Sequence, residues 1–157
     1  MKKQRGFSLI ELLIVVAIIL IIAAIAIPNL LRSKMAANES SAVGSLRTVN
    51  TAEVTYNTAN PTVGYGNLAV LGGVCPSGTA ATAAAACLID NVLATGTKSG
   101  YNFVATAGAA VPSVSYVSSA IPVAINQSGT RSFCSDESGV IYASVGAGAC
   151  TQGTNPL

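Results

Sequence analysis

The residues able to do chemistry are few and unevenly placed. The chain of 157 residues has no histidine, six carboxylates and four cysteines, Cys75, Cys87, Cys134 and Cys150. No acids converge in the sequence and no base stands beside a nucleophile, so no catalytic constellation is present and an enzyme is not expected. No two cysteines form C-x-x-C, which argues against zinc and thioredoxin-like chemistry. Asp136 and Glu137 offer a calcium site, but a calcium cage needs about six to eight oxygens. A turn explains the pair better, and no metal or cofactor is expected. The one chemically odd position is Glu11. It interrupts an apolar run from Phe7 to Leu31 that is otherwise broken only by Ser8, Pro28 and Asn29. A carboxylate inside lipid costs roughly 2.5–3.5 kcal/mol when central and less near the interface, so its presence needs a reason.

The element that must carry Glu11 is a helix. Twenty-five helical residues reach roughly 37 Å, enough to cross a bilayer. Lys2, Lys3 and Arg5 precede the run, which places the N-terminus in the cytoplasm and the rest of the chain outside. These cations also account for the net charge of +2. From Phe7 onward Arg32, Lys34, Arg47, Lys98 and Arg131 face Glu11, Glu39, Glu53, Asp90, Asp136 and Glu137, a balance of −1. No basic patch remains for nucleic acid. A cleaved secretory signal ending near Ala24-Ile25-Ala26 and a plain permanent anchor both fit the apolar run. Neither gains anything from Glu11.

Helical periodicity continues past Pro28. Leu31, Met35, Ala42, Leu46, Val49, Ala52 and Tyr56 mark one apolar face, with Arg32, Lys34, Glu39, Arg47 and Glu53 largely on others. Asn60-Pro61 ends the pattern. The expectation is one helix from about Phe7 to Thr58, kinked near Pro28, where a backbone hydrogen bond is lost. Residues 61–81 read as loop and Ala83 to Ala94 as a short helix with Leu88, Ile89 and Val92 on its apolar face. From Gly100 the period changes to two. Tyr101–Ala105, Ser113–Ser119, Arg131–Cys134 and Val140–Ala143 read as strands, the last two joined by a hairpin at Asp136-Glu137-Ser138-Gly139. In the second, Val114, Tyr116 and Ser118 share a face.

The expected fold is α+β: a long N-terminal helix whose C-terminal half packs on a small antiparallel sheet of about four strands. The divisions are a short cationic head at 1–6, a membrane-crossing half-helix at 7–31, an amphipathic half-helix at 32–60 and a small disulfide-stapled domain at 61–157. Four cysteines beyond a membrane segment favour two disulfides. Of the three pairings, proximity favours Cys75–Cys87 and Cys134–Cys150, with buried free thiols as the alternative. Asn38-Glu39-Ser40 and Asn126-Gln127-Ser128 match the glycosylation sequon, a weak signal.

The run Lys-Lys-Gln-Arg-Gly-Phe-Ser-Leu-Ile-Glu-Leu-Leu, the apolar helix and Pro28 together resemble the N-terminal signature of type IV pilins and type II secretion pseudopilins. The resemblance covers residues 1–31 closely and the remainder only in kind. It implies that residues 1–6 are a prepilin leader and residues 7–31 a filament core. It also implies a prepilin peptidase cutting between Gly6 and Phe7, N-methylation of Phe7, and a pairing of Glu11 with the new α-amino cation of Phe7 on a neighbouring subunit. It further implies a precursor in the bacterial inner membrane, an inner-membrane assembly platform as partner, and a homopolymer outside the cell. That filament would serve adhesion, twitching motility or DNA uptake. The alternative within the same architecture is a periplasmic pseudopilus acting as a secretion piston. A membrane-anchored adhesin or binding module is the alternative of another class.

Overall fold

The computed structural model describes residues 7–73, 81–146, 150 and 155–157. Helix α1 spans Leu9–Ala59, 51 residues, and runs through Pro28. Two short helices follow, α2 at Leu68–Leu71 and α3 at Asn91–Ala94. Five strands complete the fold: β1 Thr97–Lys98, β2 Tyr101–Ala107, β3 Tyr116–Pro122, β4 Arg131–Asp136 and β5 Ile141–Val145. They form one antiparallel sheet in sequence order. The chain divides into two compact units, Met1–Lys34 and Met35–Leu157.

The second unit holds the core. Ala42, Leu46, Val49, Ala52 and Tyr56 of α1 are buried with Tyr101, Phe103, Ala105, Ala120, Phe133, Ile141 and Ala143 of the sheet. The helix-facing side of the sheet alternates large and small residues across the strands. Phe103 pairs with Ala120, Ala120 with Phe133, and Phe133 with Ala143. The alanines leave room for the aromatic rings beside them, which is how a sheet of small residues reaches interior density. One row further, Asn50 reaches from α1 to the sheet. Its Nδ2 donates to Ser135 Oγ at 2.7 Å, and Ser118 Oγ donates to its Oδ1 at 3.4 Å. The α+β architecture and the packing of the long helix on the sheet match the expectation from sequence.

The details depart from it in four places. Thr97–Lys98 forms a fifth strand, pairing with Tyr101 and Asn102 through a turn in which Ser99 and Gly100 take φ of 49° and 74°. Both positive φ values match the two-residue hairpin turn that follows strand twist. The run 61–81 contains α2, capped by Asn67, whose side chain accepts from Val70 N. The predicted helix at Ala83–Ala94 is only its last turn. Ala86 N, Cys87 N and Leu88 N donate to Val70 O, Gly72 O and Leu71 O, so this stretch lies against α2 instead of coiling on itself. Cys87 has φ 56°, and Asp90 adopts extended backbone to cap α3 through Leu93 N. Alanine propensity is a weak prior that such partners override. Finally, β3 begins at Tyr116, so Val114 lies outside it and is exposed.

The Cys134–Cys150 disulfide is formed. It ties the tail to the sheet, where Tyr142 pairs with Pro156 and Leu157 N donates to Ile141 O. The Cys75–Cys87 pairing involves residue 75 and lies outside the described residues.

Candidate assembly site

In the first unit the sequence has placed every large apolar side chain outward. Leu9, Ile10, Leu12, Leu13, Ile14, Val15, Val16 and the Leu and Ile residues that follow as far as Leu31 are all exposed. Within α1 lies a window apolar enough to cross a membrane, and none of it is buried. Such a surface far exceeds what a monomer in water keeps uncovered. It requires lipid, other helices, or each in turn.

Glu11 sits in the first turn of this helix, and its Oε2 accepts the backbone N–H of Ser8 at 3.1 Å. Ser8 and Glu11 stand in the S-x-x-E spacing of a capping box, in which the acid three residues in satisfies the donor at the cap. The negative charge also lies at the positive end of the helix dipole. The S-x-x-E spacing is readable in the sequence, and it explains an acid at this position independently of any membrane partner. Glu11 therefore has a local structural task as well as its charge. Phe7, just before the helix, is exposed. Gly6 lies outside the described residues.

The second unit anchors α1 through two acids that periodicity assigned to the polar faces. Glu39 and Glu53 are both buried, on the core side. At Glu39, Oε1 accepts Thr130 N and Oγ1, both at 2.8 Å, while Oε2 receives the Arg131 guanidinium at 2.8–2.9 Å. Burial opposes ionisation of Glu39, but the Thr130 and Arg131 donors together outweigh it and hold the carboxyl below its ordinary range. Among the described residues Glu53 has one hydrogen-bond partner, Gly66 N, which donates to Oε2 at 2.9 Å. Burial pushes its carboxyl up to about 7 against the pull of that N–H. A 3.6-residue period distinguishes faces but cannot tell a solvated carboxylate from one with partners waiting on a distant loop. The missing information is contact across the chain, 91 to 92 positions for Glu39 and 13 for Glu53.

No group of three or more potential metal ligands occurs among the described residues. Asp136 Oδ1 accepts Ser138 N at 2.9 Å, so this acid organises the β4–β5 turn. A cleft of about 220 Å³ between the end of α1 and residues 81–88 is lined by Tyr56, Asn60, Thr82, Leu88 and smaller neighbours, with no charged side chain.

Residues 1–27 match the family described as "Prokaryotic N-terminal methylation motif". The N-terminal segment is of the prepilin type. The chain is also similar to the "Type IV major pilin protein PilA" of Myxococcus xanthus. The two are 48% identical over 54 residues, 34% of this chain and 24% of that protein. It is 58% identical over 40 residues to the "Type IV wide pilus major component PilA4" of Thermus thermophilus, covering 26% of this chain and 30% of that one. It is also 36% identical over 67 residues to the "Type II secretion system core protein G" of Escherichia coli, covering 41% and 46% of the two chains. The chain spans less than half the length of each of these curated relatives. No solved structure matches it. The prepilin-type segment thus coincides with the uncovered apolar helix and with Glu11.

Proposed function

We propose that the chain is the precursor of a type IV pilus subunit. The observation that carries this is an apolar half-helix with no cover of its own, behind a methylation motif and bearing one acid near its start. In this scheme the segment is held in the inner membrane until a prepilin peptidase cuts between Gly6 and Phe7. The new α-amino group of Phe7 then carries the charge that Glu11 of a neighbouring subunit requires. In a low-dielectric bundle, leaving one partner of such a pair alone costs roughly 3–5 kcal/mol. Register between otherwise non-directional helices follows from that penalty, as it does for polar positions in coiled coils. Pro28 lacks the N–H that would close its turn, so the helix is weakest there and can bend or loosen as subunits pack.

The division of labour in the structure suits this use. The second unit brings its own core and disulfide, so it can pass from membrane to filament without repacking. Mass spectrometry of the mature N-terminus tests the proposal. A methylated Phe7 is expected, and a terminus following Ala26 would refute it.

A second reading has its own observation. The similarity to the secretion-system protein G covers a larger share of this chain than either pilin match. A pseudopilus subunit would share the processing and the Glu11 pairing. Antibody labelling of the cell surface separates the two: labelled filaments support the pilus, and loss of enzyme secretion on deletion supports the pseudopilus.

A further inference from the structure

Glu53 is fully buried in the second unit, and its Oε1 has no hydrogen-bond partner among the described residues. Its Oε2 accepts a single N–H, that of Gly66. Gly66 belongs to the segment 60–67 that leads away from α1. This segment has no strand ladder. Besides Glu53, its cross-chain hydrogen bonds run to Ser113: Tyr65 N donates to Ser113 O at 3.1 Å and Ser113 N donates to Val63 O at 2.8 Å. Gly64 lies against the same residue with φ +85°, so close that a Cβ there would stand 2.1 Å from Ser113 O. Between its ends, where Asn60 bonds Tyr56 O of α1 and Asn67 caps α2, the segment is thus hydrogen-bonded to the rest of the domain at Ser113 and at the Glu53 carboxyl.

The two protonation states of that carboxyl want different surroundings. Neutral, it loses little by burial. Ionised, it gains from Gly66 N–H but surrenders its hydration with no described residue to replace it at Oε1. The titratable groups around it are Tyr56 of α1 and Tyr116 of β3, whose phenols burial and the Glu53 charge both drive upward. Tyr65 packs its ring against Tyr116 at 4.8 Å, and Asp136 and Glu137 act on Tyr116 from the β4–β5 turn. None of these is a cation. The ion pairs among the described residues join Lys98 to Asp90 and Arg131 to Glu39, leaving Glu53 without one.

We propose that Glu53 is a pH-sensitive latch on segment 60–67, closed while the carboxyl is protonated and loosened when it ionises. Opening lets water reach the carboxylate and frees Gly66 N–H, while the Ser113 contacts keep the segment near its place. This proposal concerns the folded subunit and holds for a pilus or a pseudopilus alike.

The sign follows from linkage. A carboxyl at about 7 when closed and near 4.5 when open favours the closed state fully below 4.5. The open-to-closed ratio then rises by up to roughly tenfold per pH unit until about 7 and levels off above it, roughly 300-fold in all. Hydrogen exchange on the full chain in detergent micelles, corrected for intrinsic rates, reads this ratio at residues 60–67 against β3 as reference. The expected result is a rise through that window in the wild type and none in Glu53→Gln, which keeps an acceptor for Gly66 N–H and cannot ionise. Equal protection of the segment from pH 4.5 to 8, or the same rise in Glu53→Gln, overturns the latch. Carbon NMR of the Glu53 carboxyl in the wild type is independent of any variant's folding. Titration near 7 supports the proposal, and titration in the ordinary carboxylate range overturns it.

Discussion

Glu39 and Arg131 join the long helix to the fourth strand: the guanidinium Nε and Nη2 both reach Glu39 Oε2, at 2.9 and 2.8 Å. The same arginine lies 5.4 Å from the centre of the Phe133 ring, and its carbonyl accepts the Tyr101 hydroxyl at 2.9 Å. Helix, turn and two strands therefore meet at one carboxylate. Because the Arg131 side chain is 44% exposed, solvent screens the pair. Glu39→Ala should cost about 1–3 kcal/mol, most of it from the donors of Thr130 and Arg131 left unpaired. Urea denaturation of the full chain in detergent measures this, and an unchanged midpoint would remove Glu39 from the anchoring role.

The same contact predicts acid sensitivity. The folded carboxyl of Glu39 lies below its ordinary value, so its contribution is present above about 4.5 and is lost as pH falls through the folded value. Glu39→Gln should flatten that part of the stability profile. A profile identical to wild type between pH 5 and 3 would show that other groups govern acid unfolding.

Glu11 has two separable tasks, and two variants divide them. Glu11→Gln keeps an oxygen for Ser8 N–H but has no charge; Glu11→Ala has neither. Both should insert in the membrane normally. If charge pairing drives assembly, both should reduce filament yield by about a hundredfold or more, the scale of the roughly 3–5 kcal/mol that one lost partner of a buried pair costs. Normal yield from Glu11→Gln would leave helix capping as the whole role of this residue.

Ala120 lies between Phe103 and Phe133 in the sheet and is fully buried. Ala120→Leu should destabilise by about 1–3 kcal/mol through overpacking, and Phe133→Ala by about 3–5 kcal/mol through the cavity it leaves. Thermal unfolding of both variants checks the alternation of large and small residues. A neutral Ala120→Leu would mean that the core is looser than the alternation implies.

Removing the Cys134–Cys150 bond, which closes a separation of 16 residues, should cost about 2–4 kcal/mol. Cys150→Ser tests this with the strand residue left in place. The tail pairing at Tyr142 and Pro156 should become protease-accessible first. Persistence of full tail protection would assign its order to the backbone pairing alone.

Much of the molecule was legible from local chemistry. The apolar run, its preceding cations, the acid at Glu11 and the stop at Asn60-Pro61 define the long helix. Hydrophobic period and proline act within a few residues, where the sequence is sufficient. Alternation found β2, β4 and β5 for the same reason, and the spacing of the last two cysteines suggested their bond. Tertiary contact decided the rest. Residues 83–90 abandoned a helix because Val70, Leu71 and Gly72 offered their carbonyls, and Thr97–Lys98 became a strand only because β2 lay beside it. Glu39 and Glu53 share a helix face and a chemical type. One is held ionised by donors of Thr130 and Arg131, 91 and 92 positions away, and the other is driven toward neutrality by a buried site with a single donor among the described residues. A carboxylate's state depends on what surrounds it in space, and that was fixed only when the chain folded.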